Sequence, residues 1–367
     1  MPFRRQVMTL HILGWNAHWA AQQDALARPD TRPARVLQQA RTRTLVHDGE
    51  AGIAAILPGR AHADPDAEWP VVGDWVAIRG GGADDLAVIE AILPRRTAFA
   101  RKVPGAVTRE QVLAANLDVL FIVSGLDGDF NLRRLERFVS QAWAGGATPV
   151  VLLNKADACD DVDGRRLAVE LAAPGVDVLP LSARSGEGVD ALTPYLAPGR
   201  TVALVGSSGV GKSTLVNRLL GYERMATGGV REDDSRGRHT TSHRELVPLP
   251  GGGLLIDTPG LREVQLWDAG DGIAHAFSEI EGLASGCRYR DCAHVHEPSC
   301  AVREAVERGD LAADRYESYL KLQREAAYLD ARQEESTRQR ERQQGKEMSQ
   351  RIREIERYHP KRRGRDR

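Results

Sequence analysis

The sequence predicts a multidomain chain of mixed α/β and β architecture: a small N-terminal barrel, a central doubly wound α/β sheet, and a helical C-terminal domain carrying cysteines. Three observations carry this. Five short β-rich runs, punctuated by turn residues, fall between Ala34 and Phe99. From Leu117 onward, apolar strand-like runs alternate with segments of helical spacing. Three of the four cysteines then lie between Cys287 and Cys300. At 367 residues the chain exceeds one ordinary domain, and a composition 42% apolar and 28% charged suits folded domains rather than disorder.

Residues 1–33 form an N-terminal extension that holds Trp15 and Trp19 and ends in RPDTRP. ARVLQQ, TRTLVHD, GIAAILPG, DWVAIRG and LAVIEAILP then read as strands, separated by turns at Asp48-Gly49, Gly73-Asp74 and Gly80-Gly81-Gly82. Five short strands at this spacing predict an OB-fold, assigned to residues 34–105.

In the central domain, residues 106–262, LDVLFIVSG is almost continuously apolar, as expected of a parallel strand covered on both faces. NLRRLERFVSQAW (helix), TPVVLLN (strand), DGRRLAVELAA (helix), VDVLPLS (strand), EGVDALTPYL (helix), TVALVG (strand) and LVNRLLG (helix) follow. GLLIDT, at 253–258, is the expected last strand. Residues 263–330 read as helical, and 331–367 as a charged helical tail of net +6 within a chain of net −1. No apolar run reaches the length of a membrane span, and the N-terminus lacks the apolar core of a leader. The expected setting is the cytoplasm, with the monomer as default.

The chemistry is concentrated at strand ends. Gly206, Ser207, Ser208, Gly209, Val210, Gly211, Lys212, Ser213 and Thr214 match the phosphate-loop pattern G-x-x-x-x-G-K-[ST], between a strand and a helix. Backbone N–H groups of such a loop wrap phosphates, Lys212 is expected at the β- and γ-phosphates, and the Ser213 hydroxyl on Mg²⁺. Asn154, Lys155 and Asp157 form N-K-x-D after the strand TPVVLL. A carboxylate at Asp157 pairs with guanine N1–H and its exocyclic amine, Asn154 suits N7 or O6, and the Lys155 stem can lie along the base. Ser182-Ala183 is expected to bring a backbone N–H to the same base. In Asp257-Thr258-Pro259-Gly260, Asp257 is expected to hold Mg²⁺ through water and the Gly260 N–H to meet the γ-phosphate. The ligand expected is therefore GTP, with GDP as product; the Asn154/Asp157 pair argues against a P-loop ATPase.

These elements resemble the five motifs of small translational GTPases, but run in permuted order: base loop, Ser-Ala, phosphate loop, switch, DTPG. The central domain thus reads as a circularly permuted P-loop GTPase. The polar segment from Gly228 to Thr241 is the expected switch. Thr240 or Thr241 is its expected Mg²⁺ ligand, with Thr241 preferred. Leu261 stands where a water-orienting Gln commonly follows DxxG, so His239 is the substitute catalytic candidate; solvent or RNA contact is its alternative role.

Cys287, Cys292, His294 and Cys300 supply three sulfurs and one nitrogen, a donor set suited to one structural, tetrahedral Zn²⁺, with His296 in reserve. Cys159 reads as incidental.

NKAD, SA, GSSGVGKST, RGRHTT, DTPG and CRYRDCAHVHEPSC, in that order behind an OB-fold, resemble the RsgA family, also called YjeQ or EngC. These are circularly permuted GTPases of bacterial small-ribosomal-subunit assembly. ILPRRTAFAR, at 92–101, resembles the family's exit from its OB-fold, and the likeness spans roughly residues 34–330. The resemblance implies docking on the 30S subunit through the OB-fold and zinc domain, with contact to 16S rRNA. It also implies slow intrinsic GTP hydrolysis, stimulated by the subunit and coupled to release late in maturation. Two features depart from the family: the N-terminal extension has no placed counterpart, and Ser299 stands where the family usually has Gly. The alternative is a GTP-gated RNA-binding module with negligible hydrolysis.

Overall fold

The computed structural model describes residues 8–39, 43–59, 61, 68–82, 85–102, 110–224, 244–257, 273–274, 276–324 and 327. All five expected barrel strands form: β1 (Arg32–Gln39), β2 (Thr44–His47), β3 (Gly52–Ile56), β4 (Trp75–Gly80) and β5 (Ala87–Ile92). β1 pairs with β2 and β4, β2 with β3, and β4 with β5, all antiparallel, while β3 pairs with β5 in parallel. The order 1-2-3-5-4-1 closes the barrel, as in an OB-fold. Alternate apolar residues, among them Val36, Val46, Ile53, Val76, Ile78 and Ile89, point inward and fill it.

A hairpin of β6 (Ala98–Lys102) and β7 (Glu110–Ala115) follows. The sequence reading had no strands there, and the expected domain boundary at 105 falls between the two. The central sheet holds β8 (Val119–Gly125), β9 (Thr148–Asn154), β10 (Asp177–Pro180), β11 (Thr201–Val205), β12 (Glu245–Pro248) and β13 (Leu254–Asp257). Their order is β10-β9-β8-β11-β13-β12, parallel except for β12. β8 is buried along its whole length, as its apolar run required. β12 is an addition to the expected strands; four residues ending in Pro248 give little periodicity to read. Its Glu245 lies opposite Gln38 of β1, which joins barrel and sheet edge to edge.

Helices α2 (Leu132–Ala144), capped by the Asn131 side chain, and α3 (Val162–Ala172), capped by Asp161, form as expected. α4 (Lys212–Leu220) follows the phosphate loop. EGVDALTPYL departs from expectation: Val189–Leu196 is a 3-10 helix containing Pro194. Proline has no N–H to donate to the preceding turn, and the tighter winding accommodates it.

The N-terminal extension is a wedge between barrel and sheet. α1 (Ala17–Ala25) starts at Asn16, whose Oδ1 accepts from the N–H groups of His18 and Trp19. Trp15 meets the Trp75 ring edge-on at 4.7 Å, and Trp19 and Leu13 are buried. Beneath them Arg35 is buried and donates to the carbonyls of Leu13, Gly73 and Asn116 and to Thr201 Oγ1. Burial pushes its pKa down to about 10, against the pull of Asp118 and Asp74. One guanidinium thereby ties extension, barrel and the root of β11 together.

The C-terminal part contains α5 (Ser278–Ala284), α6 (Ala301–Arg308) and helical residues 313–324. Arg315 anchors it to the sheet domain, donating to Glu136 of α2 at 2.8 Å, Glu279 at 2.7 Å and the Ala276 carbonyl at 2.6 Å, with its guanidinium 3.9 Å from the Phe277 ring centre. The tail expected at 331–367 lies outside the described residues.

Candidate nucleotide-binding site and metal centre

Because β8, β9, β10, β11 and β13 run parallel, the residues that follow them share one sheet edge, where ligands bind in open α/β folds. That edge gathers the phosphate loop, Asn154 to Asp157, Ser182-Ala183 and Asp257. Gly260, His239, Thr240 and Thr241 lie outside the described residues.

Two glycines of the phosphate loop have no substitute. Gly206 adopts φ 140°, and a Cβ there would sit 2.2 Å from the Val123 carbonyl oxygen; at Gly211, φ 98°, a Cβ would sit 2.2 Å from Asn154 Nδ2. Val210 is buried and plugs the loop, while Ser208 and Gly209 are exposed at its rim. Lys212 opens α4, and its Nζ donates to the carbonyls of Gly206, at 2.7 Å, and Ser207. Ser213 and Thr214 follow in the first helical turn, half-buried.

Asn154 is tied into the loops around it. It is 2% exposed; Nδ2 donates to Val210 O at 2.6 Å, and Oδ1 accepts from Ala183 N–H at 2.8 Å. It is a strut between three loops. The expected Ser-Ala amides are likewise engaged, Ala183 N–H with Asn154 and Ser182 N–H with Glu187 O. Arg218 of α4 staples this loop from below, donating to the carbonyls of Ala183 and Arg184. Lys155 adopts φ 66°, and its Nζ pairs with Asp127 in the loop after β8. That contact, with a bond from Asp129 N–H, overcomes partial burial and holds the Asp127 carboxyl below its ordinary value. Asp157 is exposed on the 3-10 turn Ala156–Ala158. Sequence reasoning missed Asp127 and Arg218, since a turn acid in LDGD and a helix arginine look like solvated residues.

Asp257 ends β13 half-buried, paired in register with Glu245. The Arg224 guanidinium donates to Glu245 at 2.5 Å; although burial opposes it, the charges of Glu245 and Asp257 keep its pKa raised.

The cysteine cluster assembles as expected, with the donor atoms of Cys287, Cys292, His294 and Cys300 all within 4.8 Å of one another. Cys287 Sγ lies 3.9 Å from Cys300 Sγ, and His294 Nδ1 lies 3.6 and 3.4 Å from those two sulfurs. Zn–S bonds of about 2.3 Å at tetrahedral angles put sulfurs about 3.8 Å apart, so the donors fit that ion. His296, the reserve ligand, is not among them. Burial works against a thiolate at Cys287, but the N–H groups of Val302 and Ala301, at the start of α6, prevail and lower its pKa. Glu297, unremarked in the sequence, organises the loop by accepting from the N–H groups of Ala293, Val295 and His296. With its own N–H these hold its carboxyl down at about 2. Ser299 adopts φ 57°, which accounts for the glycine that the resemblance places there. Cys159 is half-buried against the main core.

The sequence model of the RsgA GTPase family matches residues 92–267. The chain is 48% identical over 332 residues to the "Small ribosomal subunit biogenesis GTPase RsgA" of Opitutus terrae, covering 88% of this chain and 90% of that one. It is 44% identical over 358 residues to "Small ribosomal subunit biogenesis GTPase RsgA 2" of Lactiplantibacillus plantarum, covering 96% and 99%. The second alignment leaves too little of the chain over to omit the N-terminal extension, which therefore has a counterpart after all. Among solved structures, YjeQ from Thermotoga maritima is similar at TM-score 0.60 and 26% identity, covering 80% of this chain and 97% of that one. YloQ, described as a circularly permuted GTPase, shares the fold at TM-score 0.58 and 23% identity, covering 82% and 96%. Identity near one half, sustained over nearly nine-tenths of both sequences and joined to the permuted sheet, means that the chain belongs to the RsgA family of GTPases.

Proposed function

We propose that the chain binds GTP with Mg²⁺ at the shared sheet edge and hydrolyses it to GDP and phosphate while acting on the 30S ribosomal subunit. The observation carrying this reading is the convergence of three motif loops and Asp257 on that edge, in a chain whose relatives are named for small-subunit biogenesis. The residues assigned to the nucleotide are Asn154, Lys155, Asp157, Ser182, Ala183, the loop from Gly206 to Thr214, Asp257 and Gly260. Lys212 would exchange its two carbonyl contacts for phosphate oxygens, while Asp157, exposed and acidic, meets the guanine edge. Asn154, assigned to guanine N7 or O6, also fixes the loops around the base. Ser213, Asp257 and Thr241 are assigned to the Mg²⁺ side, and His239 to orienting the attacking water. When bound there, Mg²⁺ would supply positive charge to neutralise the transferring phosphate.

Cys287, Cys292, His294 and Cys300 would hold one Zn²⁺, whose contribution is to fix the loop between α5 and α6. We assign the barrel and this domain to 16S rRNA contact and the function to late subunit maturation in the cytoplasm, with the monomer as the default state. The domain limits proposed remain 1–33, 34–105, 106–262, 263–330 and 331–367. Among the described residues, no helix is long and apolar enough to cross a membrane.

The test is GTP turnover by purified protein, alone and with excess 30S subunits, with ATP as control. Stimulation by subunits with GTP alone supports the proposal. Tight GTP binding without stimulated turnover transfers the reading to the GTP-gated RNA-binding module. His239→Ala with undiminished turnover removes His239 from the mechanism.

A further inference from the structure

We infer that Asp127, in the loop after β8, is a positioning residue for guanine-nucleotide binding, acting through Lys155. The inference rests on the proposed GTP site and extends it to a residue that belongs to none of its motifs.

Both partners are constrained. Lys155 leaves β9 in the left-handed region, φ 66°, a conformation disfavoured for a residue with a Cβ. Its ammonium pairs with Asp127 Oδ2. The other carboxylate oxygen, Oδ1, accepts from Asp129 N–H at 3.1 Å, which fixes the side chain on its own loop. Gly125 leaves room for this arrangement: a Cβ there would lie 2.7 Å from Asp127 Oδ1. The side chains are neither deeply buried nor free, at 33% exposure for Lys155 and 42% for Asp127.

The consequence is directional. A lysine stem can serve as a platform for a planar base only if its four methylenes are held extended, and an untethered lysine loses that order to rotamer freedom. The anchor at Nζ and the turned backbone at Lys155 fix the stem at both ends. Lys155 is flanked by Asn154, whose amide ties the base loop to the phosphate and Ser-Ala loops, and is followed by Asp157. The anchored lysine therefore lies along the wall where the base is expected. Since the contact concerns the base side of the nucleotide, it should affect GDP and GTP alike.

The experiment uses the full chain and GDP or GTP carrying a fluorescent ribose label. Asp127→Asn keeps Oδ1 as the acceptor for Asp129 N–H and replaces Oδ2 by an amide NH2, which removes both the charge and the acceptor that pair with Lys155. A half-exposed ion pair is worth up to about 1 kcal/mol, so a roughly two- to fivefold rise in Kd is expected, equal for the two nucleotides and shrinking as salt rises. In hydrolysis assays KM should rise with turnover at saturation retained. In a Lys155→Met background, Asp127→Asn should leave the Kd where that background sets it, because the partner is gone. Unchanged affinity in Asp127→Asn, or an equal loss with and without Lys155, overturns the inference. Failure of the unsubstituted protein to bind either nucleotide overturns the proposed function instead.

Discussion

Gly211→Ala is a sharp test of how the site is assembled. The new Cβ would arrive 2.2 Å from Asn154 Nδ2, at a backbone φ of 98°. The left-handed conformation costs a non-glycine residue about 1–2 kcal/mol. Asn154 must also move, which breaks bonds of 2.6 Å to Val210 O and 2.8 Å from Ala183 N–H. Leaving a buried polar group unpaired costs about 1–3 kcal/mol. The binding-competent arrangement of the loops should therefore lose at least about 3 kcal/mol, a rise in nucleotide Kd of roughly a hundredfold or more. Gly209→Ala is the internal control: φ is 81°, but no atom lies within 4 Å of the new Cβ. It should carry only the backbone cost, roughly tenfold in Kd. Titration with fluorescently labelled GDP measures both, and retained zinc content shows that the rest of the chain is folded. Equal losses in the two variants would refute the strut role of Asn154.

Two further outcomes follow from the proposed metal centre. Cys300→Ser should reduce bound zinc, read by elemental analysis, from about one equivalent to none, since four donors are needed to close a structural site. It should also raise protease sensitivity around residues 276–324; full zinc retention would remove Cys300 from the ligand set. Ser299→Gly relieves a left-handed φ of 57° and should stabilise the zinc-loaded protein by about 1 kcal/mol in thermal unfolding, whereas an unchanged or lowered midpoint would contradict the strain.

The sequence alone determined the barrel strands, the alternating sheet, the phosphate-loop motif and the cysteine–histidine cluster, because each rests on local signals. Turn residues, two-residue alternation and apolar runs mark strands, and Cys287, Cys292, His294 and Cys300 lie close enough in sequence to meet in one loop. The reading failed where the deciding contact was remote or the signal short. EGVDALTPYL has helical spacing, yet Pro194 makes it 3-10, and β12 is four residues long.

Only the tertiary structure decided the contacts of Asn154, Arg35, Asp127 and Arg315. Asn154 became a strut because β9, β10 and β11 end on one edge, so its amide meets Val210 and Ala183 before anything else. Arg35 looked like one more strand residue of an arginine-rich chain; its bonds reach Leu13, Gly73, Asn116 and Thr201, four separate stretches of sequence. Buried polar groups must find partners wherever the fold brings them, and no local pattern encodes a partner 166 residues away.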